Sequence, residues 1–295
     1  MIAIQQPAPR QPQVSIAYRM PGEFLFREDP HLQHFIIDSS NSGELISKSG
    51  LIISYPACAF MSRIYQKRVF GPVEVVLKEL YTPAEILLYG HPTTSDGALM
   101  EAFVQFQIRA FQDGQPLELI VPLQVSLPVT RLGEKSRQIH TYCGGASEIR
   151  AISGQKTFDW KHVSGLLFQN SGSPYRIFNI DRCGWWACQK PHISKGKKVM
   201  MSAKVIGVVP VSQRMEGLLL FRDIPAMVRM YPGIQGFTAL NIPEGFQASV
   251  LLYGHDREQL FAGRSDWEIS SGKMYHVPVA ATSREAFRDL LSIDY

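Results

Sequence analysis

An all-β fold is predicted by three features of the chain. Apolar residues recur at every second position in short runs, Gly, Pro, Asn or Asp punctuates the breaks between runs, and no helical period holds until the C-terminal segment. The 295 residues are enough for two domains, each able to bury its own core. The expected architecture is therefore two tandem β-sandwich domains with an extended N-terminal arm and a short C-terminal helix. The expected boundaries are 1–22 for the arm, 23–130 for the first sandwich, 131–160 for a linker, 161–281 for the second sandwich and 282–295 for the helix.

The elements follow in order. Pro7, Pro9, Pro12 and Pro21 deny the first residues a regular ladder, so they read as an extended arm. Residues 31–38, HLQHFIID, read as a first strand. Gly43 and Gly50 bracket two short strands at 44–46 and 51–54, and Pro56 ends the second. Val73, Val75 and Leu77 alternate with Glu74, Val76 and Lys78, the period of a half-buried strand. Residues 99–110 and 117–125 form a hairpin about Asp113-Gly114, a strong turn dipeptide. Charge rises in 131–160 and Gly144-Gly145 interrupts it, which reads as a junction. Strands are expected again at 175–180, 198–209, 217–221, 237–240, 248–253 and 274–279. At the C-terminus Thr282 or Ser283 can cap a helix, with Glu285 completing a capping box from Thr282. Phe287, Leu290 and Leu291 share one face of that helix. It is too short to stand alone, so its apolar face must be covered.

Residues 38–100 carry a family resemblance. The opening of Gly43, Gly50, residues 51–54, Pro56 and Ala57 resembles the β-sandwich domain shared by netrin receptors, ankyrins and tight-junction scaffolds. The segments VEVVLKELYTPAEILL and PTTSDGALME, and later Cys183-Gly-Trp-Trp-Ala-Cys188, are similar to a group of uncharacterised Bacteroidetes tandem β-sandwich proteins. In that group an aromatic closes the connection before the second domain, a position Trp160 matches. The resemblance implies the sandwich fold and a role in protein contacts. Some eukaryotic relatives cut themselves at a Phe-Ser bond beside a His; no Phe-Ser pair occurs in this chain, so self-cleavage is not carried over. Many of the bacterial proteins are exported or lipid-anchored. Residues 1–20 lack the continuous apolar core of a secretory signal. The expected location is therefore the cytoplasm, or the outside as part of a delivered assembly.

Composition narrows the function classes. Thirty basic against twenty-six acidic residues give a formal charge of +4, too small and too dispersed to predict nucleic acid as a partner. No window approaches the roughly 18 apolar residues of a membrane helix, so no membrane insertion is expected. Four cysteines are too few for a disulfide scaffold in a chain of this length and fit a reducing compartment.

Reactive patterns are few. The sequence holds no G-x-S-x-G elbow, phosphate loop, H-E-x-x-H or G-x-G-x-x-G. Four weaker patterns remain. His31 and His34 would share a helical face, but no third ligand is near. Cys183, Cys188 and His192 offer three zinc ligands at a long spacing, against a reading in which Trp185 and the cysteines fill the second core. His140 and Cys143 offer a base and a nucleophile with no orienting partner. Lys195, Lys197 and Lys198 read as a solvated turn. One internal echo stands out: residues 86–91, ILLYGH, recur as 250–255, VLLYGH, and read as two core strands ending at Gly turns.

The leading functional expectation is a non-enzymatic structural scaffold or adaptor that binds other protein subunits, itself included, and needs no cofactor. An exported contractile particle is one assembly it would suit. Its contact residues are expected at the two ends, in Pro7, Pro9 and Pro12 and in Phe287, Leu290 and Leu291. One alternative is a surface adhesin whose exposed Trp186, Trp267 and Tyr253 bind glycan. The other is a hydrolase using His140 and Cys143.

Overall fold

The computed structural model describes residues 18–132, 139–150, 156–163, 173–194, 196–207, 214–233, 236–256 and 259–292. These are mostly strand, with short helices α1 (Gly22–Leu25), α2 (Pro83–Tyr89) and α3 (Arg284–Leu291). The first strands are β1 (Leu32–Asp38), β2 (Gly43–Ile46), β3 (Ile52–Tyr55), β4 (Phe60–Ser62), β5 (Lys67–Arg68), β6 (Pro72–Leu80) and β7 (Thr94–Ser95). They are followed by β8 (Ala98–Gln112), β9 (Gln115–Leu119), β10 (Leu123–Pro128), β11 (His140–Arg150), β12 (Lys156–His162), β13 (Tyr175–Ile180) and β14 (Gly184–Pro191). All fourteen belong to two sheets. One runs β12-β11-β14-β8-β9-β4-β5, with β6 also on β8 and β1 on β6; the other runs β13-β10-β3-β2. A core drawn from both lies between them, with Ile53, Val125 and Phe178 from the smaller sheet meeting Leu77, Phe106 and Trp186 from the larger.

This first strand system extends further than the sequence predicts. Residues 140–150 and 156–160 of the expected linker are strand: β11 and β12 pair with each other, and β11 pairs with β14. β13 and β14 also belong here rather than to the second system, through Phe178 against Val125 on β10 and Trp186 against Phe106 on β8. The Gly-Gly dipeptide that reads as a break sits inside β11. A Cβ on Gly144 would lie 2.4 Å from the Phe158 ring, so the missing side chain is what lets that ring cross the strand. The hairpin at Asp113-Gly114 is present, with φ of 50° and 74° at its two central residues, as a two-residue type I′ turn requires.

The second strand system is β15 (Lys198–Ile206), β16 (Arg214–Phe221), β17 (Met227–Gly233), β18 (Gly236–Pro243), β19 (Gln247–Asp256), β20 (Gln259–Glu268), β21 (Met274–Pro278) and β22 (Ala280–Thr282). Its order is β21-β15-β18-β17-β16-β19-β20-β22. The two terminal members are consecutive in the chain: residues 274–278 run parallel to β15, and residues 280–282 run antiparallel to β20. One run of chain thus joins both borders and closes the sheet on itself. The crossing explains Gly263, where a Cβ would lie 1.9 Å from the Pro278 carbonyl oxygen. Its interior holds Met201, Phe221, Met230, Leu252 and Tyr275.

A third apolar cluster lies between the two systems. Leu80, Met100, Tyr142, Trp160 and Trp185 from the first meet Leu218, Met227, Leu251 and Tyr253 from the second, and α1, α2 and α3 fill the sides. β6 is therefore buried on both faces, where alternation predicts one. Val73, Val75 and Leu77 enter the first core, while Val76, Lys78 and Leu80 are covered from the junction side. The ends of the chain are also placed differently from expectation. Phe24 and Leu25 are buried in the junction with Tyr18 and Met20 against them, so the described part of the arm belongs to the fold. Phe287 is 0 % exposed, Leu291 is buried and Leu290 packs beside them. The apolar face of α3 is thus covered by this chain itself, which corrects its assignment to a partner. Ser283, not Thr282, is the N-cap, its hydroxyl accepting from the Ala286 amide at 3.1 Å, so Glu285 completes no box. Pro7, Pro9 and Pro12 lie outside the described residues.

Candidate functional site at the junction

The densest arrangement of polar and aromatic groups is built on α2 and its exit. Thr82 and Glu85 form a reciprocal capping box with Pro83 at the first helical position, which makes 83–89 a helix in a chain otherwise of strands. The helix ends at Gly90. His91 follows, and the Gln105 side chain clamps it at both backbone groups: Oε1 accepts from the His91 amide and Nε2 donates to the His91 carbonyl, each at 2.8 Å. So held, the imidazole stacks on Phe158 with centroids 3.7 Å apart and planes at 7°, and meets Trp185 edge-on at 4.8 Å. Trp160 Nε1 donates to the Pro92 carbonyl at 2.8 Å and fixes the next turn of the chain.

Cations ring this stack. Lys78 pairs with Asp29 and lies 5.3 Å from the Trp185 ring centre. Arg229 pairs with Glu216 at 2.8 Å and covers the Tyr18 ring at 5.0 Å. Burial of the ring, reinforced by Lys78 and Arg229, pulls the His91 pKa down to about 3. The imidazole is neutral at physiological pH, and its Nδ1 has no hydrogen-bond partner among the described residues. Burial likewise raises the Tyr18 and Tyr253 phenols well above their ordinary range, so neither supplies a phenolate.

The two copies of the repeated hexapeptide meet here from opposite sides. They do not share a structure: residues 86–89 of the first lie in α2 and the second lies inside β19, whereas both read as strands in the sequence. The N-terminal segment runs between them. Tyr18 sits 6.1 Å from the His91 ring, the Tyr253 hydroxyl donates to the Arg19 carbonyl at 2.8 Å, and the Arg19 guanidinium donates to His255 Nε2 at 2.8 Å. Beside this strap a cleft of about 530 Å³ opens to solvent, lined by Arg19, Glu23, Phe24, His255, Ser283 and Arg284 among others. The arrangement binds elements together.

The other sequence candidates fall elsewhere. His140 and Cys143 are three apart on β11, so they point to opposite faces, with Cys143 in the first core and His140 in solvent. They cannot act as a base and nucleophile pair. Cys188 lies in the first core and Cys183 packs against it, and burial pushes both thiols up to about 12. His192 turns away to Glu101, Nδ1 to Oε1 at 3.0 Å. His34 pairs with Glu74 at 2.8 Å while His31 packs on Tyr89, so these two do not converge. Trp186 and Tyr253 are 0 % exposed and Trp267 is half-buried, which removes the glycan platform. Trp185 is core, but of the junction rather than the second system. Lys197 and Lys198 are exposed as expected, and Lys195 lies outside the described residues. Gln105 carried no signal in the sequence, being one of two glutamines in an alternating strand. No helix among the described residues is long and apolar enough to cross a membrane. No family model, curated protein or solved structure matches the chain.

Proposed function

We propose that the chain is a non-enzymatic scaffold that makes contacts with other protein subunits through the strand borders of its first system. The observation that carries this reading is an asymmetry between the systems. The second closes its sheet, whereas the first ends in β1, β2, β5, β12 and β13, each paired on one side only among the described residues. Two of these borders bear bare apolar side chains, Ile36 on β1 at 73 % exposed and Ile46 on β2 at 62 %. A strand border presents a row of backbone donors and acceptors, and an added strand satisfies them. The resemblance to contact-making sandwiches supports the same reading, with the first system as the family's sandwich and a contractile injection particle as one assembly in which a rigid two-part subunit would serve.

The test is a tagged chain recovered from its native host and sized, beside an Ile36→Lys, Ile46→Lys double variant. Border lysines oppose strand addition at little cost to the fold. The expected result is wild-type chain in particles far larger than 33.2 kDa and the variant as a single chain with an unchanged melting temperature. Wild-type chain running alone at 33.2 kDa, or a variant that assembles equally well, would contradict the reading.

A further inference from the structure

We propose that His140 and His162 form a zinc site on the outer end of the larger sheet. The register places Tyr142 opposite His162 and His140 opposite Gln189, so His140, Tyr142, His162 and Gln189 share one face of three neighbouring strands. His140 and His162 are diagonal neighbours on that face, and both are exposed. Their ring centroids are 5.3 Å apart with planes at 69°. Two imidazoles bound to one tetrahedral metal at Zn–N ~2.0–2.1 Å place their centroids about 5 Å apart. The observed ring spacing matches that of two imidazoles sharing one ion.

The pair also differs from four of the other described histidines. His34 and His192 are held by carboxylates, His255 by Arg19, and His91 is enclosed in its stack. Among the described residues, His140 and His162 make only ring contacts, with each other and between His162 and Tyr142. A second observation points to the same place. Gln189 is 0 % exposed, and neither amide atom has a hydrogen-bond partner among the described residues. A ligating histidine is oriented by a group that accepts from its other ring nitrogen. Gln189, directly opposite His140 on β14, is the residue placed to do so. Imidazole donors favour zinc over magnesium or calcium, which seek oxygen. Water completes the remaining positions.

The test is calorimetric titration of the full chain with zinc chloride and, separately, magnesium chloride. The expected result is one zinc per chain, no magnesium, and at least a tenfold loss of zinc affinity in His140→Ala and in His162→Ala. His276→Ala, an exposed position on β21, should leave affinity unchanged. His140→Gln and His162→Gln, which keep an exposed polar side chain of similar reach, must show the same loss. Absence of zinc binding, or binding that survives both glutamine variants, would overturn the proposal.

Discussion

His91 is where one residue's environment has a measurable consequence for the whole protein. Its pKa in the folded state lies near 3, while an unfolded histidine titrates near 6.5. Between these values the unfolded chain binds more protons, so stability falls as pH falls through that window and is fully present above about 6.5. The residue keeps some exposed surface although its ring is enclosed, so the expected loss from pH 7.5 to pH 5 is about 1–2 kcal/mol from this group. Urea unfolding at the two pH values measures it. His91→Phe retains a flat ring on Phe158 and should flatten the dependence by that amount; a slope identical to wild type would remove His91 as its source. Trp185 makes a simpler case. Truncation to Ala strips the ring from His91 and Lys78 and should cost about 3–5 kcal/mol. That Trp185 is core is legible from its type and its strand. Which core it joins is not, because neighbouring Trp185 and Trp186 face opposite sides and only the second strand system distinguishes them.

At the scale of elements, nearly identical local sequence gives a helix in one place and a strand in another. Residues 86–91 and 250–255 share five of six residues, yet Thr82, Pro83 and Glu85 precede only the first. The capping signal was therefore present in the sequence, and the alternating strand before it masks it. Thr82→Ala should cost about 0.5–2 kcal/mol by loss of the cap, and an unchanged melting curve would show that packing alone holds α2. β11 and β12 were hidden for another reason: Gly144-Gly145 has the composition of a turn. The two glycines should respond differently to alanine. At Gly144 the added Cβ meets Phe158 and Trp185, with a cost of about 1–3 kcal/mol, whereas nothing lies within 4 Å of a Cβ at Gly145. Equal melting temperatures for the two variants would contradict the pairing of β11 with β12. The hairpin at Asp113-Gly114 and the Ser283 cap of α3 were legible because their signals are local. Strand pairings across a hundred residues, and the closure by residues 274–282, leave no mark in any single window.

At the scale of the molecule, the two strand systems share an apolar junction into which residues 18–25 and α3 fold. The expectation of two separately folding domains rested on an apparent linker of which residues 140–150 and 156–160 are strands of the larger sheet. With the junction filled by Phe24, Trp160, Trp185, Tyr253 and Phe287, neither system keeps its surface covered if the other unfolds. The contacts that sequence assigns to partners at the C-terminus are spent within the chain, and the scaffold reading rests instead on the open borders of the first system. The same fact makes Phe287 a sensitive probe, since it lies on α3 yet touches Phe24 and Tyr253 from the other elements, at ring separations of 6.5 and 5.6 Å. The most direct measurement is calorimetric unfolding of the full chain and of Phe287→Ala, with particle mass recorded for both. The account expects one transition for the full chain, lowered by several degrees in the variant by a loss of about 3–5 kcal/mol, at unchanged mass. Two transitions in the full chain, with neither moved by Phe287→Ala, would show that the systems fold apart and that the junction does not hold them.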